Sequence, residues 1–187
     1  PSGRIELFSE RIAGFGYDDC PGHPAWIEPL EWLGGAPEGA PLHLVTNQPA
    51  TKLHSQLDQG SVSRADRIEG REPILMHPED AAERGLSEGQ IVRVFNGRGA
   101  CCAGLRIGDS VRRGVVQMAT GAWYDPDGTL CRHGNPNVLT PDKGTSKLAQ
   151  GPIAHTCMVE VAAWEGELPP VRIFEPPVIE PRREAAE

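Results

Sequence analysis

The sequence predicts a mainly β fold: a compact barrel of about six short strands with one or two small helices between them. Two observations predict it. Gly (22) and Pro (18) are frequent enough to argue against a helix bundle and for a turn-rich body. Short runs of strand-type residues then recur between glycines from residue 42 to residue 162. The 187 residues fit one ordinary domain, and with 39% hydrophobic residues the chain can bury a core.

Residues 1–40 read as an extended arm or linker from a preceding region. Arg4 to Ser9 alternates polar and apolar, as an edge strand does, and Asp19 to Trp26 is too rich in turn residues for a regular element. Phe8, Phe15, Tyr17, Trp26 and Trp32 are too many aromatics for a solvated tether, so the arm is expected to lie across another surface. The barrel spans 41–168. Leu42 to Thr46 is its first strand, and Thr51 to Leu57 has the spacing of two helical turns with Leu53 and Leu57 on one face. Pro73 to Met76 is strand-like. Pro78 to Gly85 is a short helix, with Pro in the first turn, acids at its positive end and Gly85 at the C-terminal cap. Strands follow at Gln90 to Phe95, Ala100 to Ile107, Val115 to Ala119 and Thr156 to Ala162. The Pro-rich stretch 169–187 reads as a peripheral tail.

The charge sum, 18 basic against 26 acidic residues, is −8. An acidic chain lacks the basic face that displaces counterions from nucleic acid. No run approaches the ~20 apolar residues of a membrane span, and no charged-then-apolar leader opens the chain, although a piece of a longer polypeptide would lack one in any case. The five cysteines show no CxxC or zinc spacing and read as buried free thiols.

Chemistry concentrates in two segments. In Thr46-Asn47-Gln48-Pro49-Ala50-Thr51-Lys52-Leu53-His54-Ser55-Gln56 a strand ends and a helix is expected to begin. Unpaired N–H groups at such a junction, with hydroxyl, amide and ammonium groups nearby, suit a phosphate or diphosphate. A capped helix with a polar surface is the alternative. The second segment runs from His133 through Asn135, Pro136, Asn137 and Thr140 to Lys143, Gln150 and Gly151, a long stretch without a strand. Its carboxamides can read a purine or pterin edge, or simply grip turns. Asp125-Pro126-Asp127-Gly128 has the composition of a turn, His77 is placed to start the following helix, and no serine occupies a nucleophile elbow.

At these two segments the sequence resembles the C-terminal domain of molybdopterin oxidoreductases, in the dimethyl sulfoxide, trimethylamine N-oxide and biotin sulfoxide reductase branch. Ser2 to Glu10 and Cys20 to Trp26 also resemble the stretch that precedes this domain, so the likeness runs to about Val161. The resemblance implies a six-stranded double-psi β-barrel that binds part of a molybdenum bis(molybdopterin guanine dinucleotide). It implies cofactor contacts from Thr46, Asn47, Gln48, Pro49, Lys52, His54, Ser55, Gln56, Asn135, Gln150 and Gly151. Lys52 stands where relatives often carry Arg, which removes a planar fork and keeps the charge. The resemblance further implies no catalytic or metal-ligating residue in this chain, a catalytic body in the same polypeptide and an unidentified electron-donor protein, while charge and hydropathy lead to the expectation of no nucleic-acid or membrane partner. The parent reaction would be reduction of an S-oxide or N-oxide, and this chain alone is expected to be inactive. The cytoplasm is the expected compartment, with the periplasm as the alternative. Two other readings stay open: a free-standing interaction barrel with the arm as docking strip, and a small decarboxylase-like enzyme using Ser146 after Gly144.

Overall fold

The computed structural model describes residues 3–176 and Ile179. Eight strands form, in chain order: β1 (Leu42–Val45), β2 (Pro73–Met76), β3 (Ile91–Phe95), β4 (Ala100–Ile107), β5 (Val115–Met118), β6 (Pro126–Asp127), β7 (Leu130–Cys131) and β8 (Cys157–Ala163). Six of them run in the order β2-β5-β1-β8-β3-β4, and a β2–β4 pairing closes the ring. The β1–β5 and β2–β4 pairs are parallel, whereas the other ring pairs are antiparallel. This is the six-stranded double-psi barrel, with the β6–β7 hairpin added to the β4 edge.

The strand periodicity of two decides what lies inside. Leu42 and Leu44, Ile74 and Met76, Val92 and Val94, and Val116 and Met118 point into one core with Cys101, Ala103, Leu105, Val159 and Val161. β4 is buried along most of its length because strands flank it on both sides and Ile68 packs onto Gly104. Helix α3 (Pro78–Glu83) forms as its sequence signals require. His77 Nδ1 accepts from Glu79 N at 3.2 Å, and Gly85 adopts φ 63° just past the end.

Three local expectations fail, each for a physical reason. Residues 4–9 form no strand, because Ile5 and Leu7 stay exposed and bury no face that would fix one; a single-turn helix, α1 (Glu10–Ala13), follows, capped by Ser9. The segment Thr51 to Leu57 is not helical. Turns replace the helix, His54 and Leu57 take positive φ, and Leu53 and Leu57 stay exposed. Lys52 anchors this conformation, its ammonium turned inward to two carboxylates, Asp58 and Glu72. The next helix, α2 (Ser61–Asp66), starts ten residues after Thr51. The tail is not wholly peripheral: Arg71 donates to Pro169 O, Asp125 accepts from Arg172 N at 2.8 Å, and Phe174 packs on Trp123. Its last residues lie outside the described ones.

Carboxylates tie the arm down: Asp18 and Asp19 hold Lys147 at the surface, and Glu31 makes the more buried anchor. Glu31 accepts from Arg98 at 2.5 and 2.9 Å and from Met158 N at 2.9 Å. This is a charge-assisted fork with an added backbone donor, and the Arg98 guanidinium holds the Glu31 carboxyl below its ordinary range.

Cys101, Cys102, Cys131 and Cys157 are buried, and only Cys20 is partly accessible. Burial raises the Cys101 and Cys102 thiols, and pushes Cys157 up to about 11. The thiolate is the reactive form. Titration of the native chain with a thiol reagent at neutral pH should therefore label Cys20 quickly and the other four only on unfolding. Fast reaction of Cys157 in the native state would contradict this packing.

Candidate functional site

Three loops leave the same end of the barrel. They are 46–60 after β1, 119–125 after β5, and 132–156 after β7. Each is cross-linked to the next. Asn47 O accepts from Thr120 N at 2.9 Å, and Ser55 O accepts from Trp123 Nε1 at 2.8 Å. Asn135 Nδ2 donates to Ala122 O at 2.8 Å, while its Oδ1 accepts from Asn137 N at 2.9 Å. Cys131 Sγ accepts from Asn135 N and Asp125 N, which seats the start of the third loop.

Between the loops lie two adjoining clefts that share His54, Thr120 and Asn137 as a common wall. One, of about 460 Å3, is completed by Ser55, Gly121, Ala122, Trp123, Tyr124 and Asn135. The other, of about 680 Å3, is completed by residues that include Gln48, Thr140, Lys143 and Gln150. Together they make a trough with carboxamide, hydroxyl and imidazole groups along it. Its charged lining is one ammonium, Lys143, and one carboxylate, Asp142.

The structure separates the sequence-predicted residues into groups. Gln48, His54, Ser55, Asn135 and Gln150 line the trough. Thr46, Asn47, Pro49, Gln56 and Gly151 are not among the lining residues. Thr46 is buried, and its Oγ1 finds no hydrogen-bond partner. Asn47 turns its amide to Gln48 O at 2.9 Å. The expected phosphate-facing role of Lys52 is not supported by its position. Its side chain has no exposure and lies 2.7 Å from Asp58 and 2.8 Å from Glu72. With no helix at Thr51, the expected helix-terminus dipole is missing as well. Asn135 uses both ends of its amide as a brace between two loops.

The lining also includes residues that were not among the expected contacts, Thr120, Asn137, Thr140 and Lys143 among them. Asn137 and Lys143 stand in the same segment as Asn135, and Lys143 supplies the cleft-facing cation that Lys52 does not. Their signal was proximity to Asn135 within a strandless run. Thr120 carried none, because only the β1–β5 pairing brings it to the first loop.

This donor set fits an anionic dinucleotide. The paired clefts exceed the span of one small ring, carboxamides suit heterocycle edges, and the ammonium suits a phosphate. Behind the trough, Lys52, Asp58, Arg67, Glu72 and His133 form a buried polar knot. Burial by itself would raise the Asp58 carboxyl, but hydrogen bonds from His133, Lys52 and Trp123 N outweigh it and hold it well below the carboxylate range.

Comparison with known proteins agrees with this geometry. Residues 42–158 match the family model described as "Molydopterin dinucleotide binding domain". The chain is 46% identical over 182 residues to a dimethyl sulfoxide/trimethylamine N-oxide reductase of Cereibacter sphaeroides, covering 95% of this chain and 22% of that protein. It is 49% identical to a biotin sulfoxide reductase of the same organism, over 93% of this chain and 24% of the relative. A trimethylamine-N-oxide reductase of Haemophilus influenzae is 45% identical, over 95% of this chain and 22% of its own length. The chain thus spans about a quarter of these relatives. Acetylene hydratase from Pelobacter acetylenicus superposes with a TM-score of 0.70 at 21% identity, covering 88% of this chain and 24% of that one, which shows the shared fold. No helix of the described residues is long and apolar enough to cross a membrane. By its matched residues and its barrel, this chain belongs to the molybdopterin dinucleotide-binding domain family.

Proposed function

We propose that this domain is the C-terminal cofactor-binding part of a molybdenum oxidoreductase acting on S-oxides or N-oxides, and that its trough receives one portion of a bis(molybdopterin guanine dinucleotide). The observation that carries the reading is the convergence of Gln48, His54, Asn137, Lys143 and Gln150 on one trough at the end of a barrel of this family. When bound, the molybdenum cofactor supplies the two-electron chemistry that converts an oxide, two protons and two electrons into the reduced compound and water. The chain's own residues bind and orient. Lys143 offers a positive charge to a diphosphate, and the amides of Gln48, Asn137 and Gln150 offer paired donors and acceptors to ring edges. Trp123 and Tyr124 form one rim of the trough.

The rest of the parent is a catalytic body in the same polypeptide, since relatives of about four times this length match it over nearly its whole extent. The arm supports this reading. Ile5, Leu7, Trp26 and Leu30 are at least 63% exposed, a row of apolar side chains suited to packing against such a body. Electrons come from a separate donor protein. The four buried thiols favour the cytoplasm for the parent.

The test is nucleotide retention. In the polypeptide that carries this domain, acid hydrolysis of the purified protein releases guanine nucleotide in proportion to bound cofactor. Asn137→Ala removes one neutral hydrogen-bonding group, so its cofactor affinity should fall roughly 2- to 12-fold, corresponding to about 0.5–1.5 kcal/mol. Wild-type retention in this variant, and in Gln48→Ala alongside it, would count against the trough.

A further inference from the structure

The first and third loops meet the second through a few hydrogen bonds to backbone carbonyls, and all three also reach one buried side chain. Asp58 has no solvent exposure. Its Oδ1 accepts from Lys52 Nζ at 2.7 Å and from Arg67 Nη2 at 2.7 Å. Its Oδ2 accepts from Trp123 N at 3.0 Å and from His133 Nε2 at 3.1 Å. Lys52 lies on the loop after β1, Trp123 on the loop after β5, and His133 on the loop after β7. These are the three walls of the trough.

The cluster is not a cation site. Ligand atoms of Asp58, Glu72 and His133 lie within 4.8 Å of one another, but the two carboxylates are already taken up by Lys52 and Arg67. Nor does net stability explain it. Ion pairs this deeply buried cost about as much in desolvation as they return, and apolar replacements of equal volume often do as well. A network of fixed donor directions does give something an apolar cluster cannot, namely a single relative placement of the segments that carry the donors. The tail adds a lid over it. The Phe174 ring stands edge-on to His133 at 5.0 Å and 4.9 Å from the Arg67 guanidinium.

We propose that Asp58 is a positioning residue for cofactor binding: one buried carboxylate fixes the register of the three trough loops, with Phe174 holding the knot closed from outside. Asp58 touches no ligand and acts through Trp123, His133 and Lys52. The claim rests on the trough being the cofactor site.

The experiment reads loop order and retention separately, in the polypeptide that carries this domain. Asp58→Asn keeps the shape and turns one acceptor into a donor facing donors. Amide hydrogen exchange in 46–60, 119–125 and 132–140 should accelerate roughly tenfold while β3 and β4 keep their protection, and guanine nucleotide retained after gel filtration should fall roughly tenfold, the scale seen when groups that orient ligands from behind are removed. Acceleration spread evenly over the barrel strands, or unchanged retention, would overturn the proposal by reducing Asp58 to a general stability residue. If Asp58→Asn does not fold, Phe174→Ala, which leaves every charge in place, is read by the same two criteria with smaller changes expected. If the wild type itself retains no nucleotide, the cofactor reading fails, while the exchange measurement still decides whether Asp58 orders the loops.

Discussion

Gly121→Ala should be the most damaging single-methyl change in the domain. A Cβ at this position would stand 1.9 Å from the carbonyl oxygen of His54 and 2.5 Å from its carbon, and the backbone there has φ 92°. Both obstacles are backbone, so no side chain can swing away. The loop after β5 would have to lift off the loop after β1, breaking the Thr120 to Asn47 and Trp123 to Ser55 hydrogen bonds. Overpacking with added left-handed strain should cost about 3 kcal/mol or more. For a domain of this size that corresponds to roughly 6–12 °C in melting temperature. Cofactor retention should fall with it, because His54 and Thr120 are shared by both clefts. Gly128→Ala is the control. That glycine also has positive φ, at 60°, but an added Cβ meets nothing within 4 Å, so the cost should stay near about 1 kcal/mol. Differential scanning calorimetry of the two variants separates steric contact from backbone strain.

Lys52→Met should destabilise the cofactor-free chain by about 3–5 kcal/mol, because it leaves Asp58 and Glu72 buried beside a single remaining cation, Arg67, and the His133 ring. A lysine that served a ligand would show the opposite pattern, with stability unchanged and binding lost. Denaturation without cofactor therefore distinguishes the inward Lys52 of the structure from the phosphate-facing Lys52 that the sequence suggested. Acid adds a second readout. The folded carboxyl of Asp58 is depressed relative to the unfolded chain. Its contribution is thus complete above about pH 4, the ordinary aspartate range, and is lost as pH falls from there toward the folded value. The wild type should lose stability over that acid window. Lys52→Met should lose less, because one of the donors that depresses Asp58 is gone.

The barrel was legible because it rests on local signals that point one way. Strand-type runs at 42–46, 73–76 and 90–95, glycine punctuation, and the helix signals from His77 to Gly85 each survived folding. The double-psi topology was reached only through resemblance, since nothing in a strand's own residues says that β1 pairs in parallel with β5. The first candidate segment reaches the trough through Gln48, His54 and Ser55, but its expected helix does not form. Thr51 to Leu57 has helical spacing, but one buried ion pair outweighs a weak two-turn propensity. Lys52 and Asp58 are six residues apart and Glu72 lies farther on, so the pairing leaves no periodic trace. The same limit hid Thr120, which reaches the trough through strand pairing. It also hid Phe174, whose partners Arg67, Trp123 and His133 all lie far back in the chain. Asn135 lines the trough, but its amide is engaged otherwise than the expectation had it. Its amide braces the loop that lets Asn137 and Lys143 face the trough.

The central claim is that the three-loop end of the barrel receives the dinucleotide. Comparing amide exchange of the cofactor-loaded polypeptide with its cofactor-free form tests it most directly. Protection on loading should concentrate at 46–56, 120–124, 135–143 and 150–154. Protection confined instead to the groove on the barrel side, around Arg93, Phe95 and Trp164, with those loops unchanged, would contradict it.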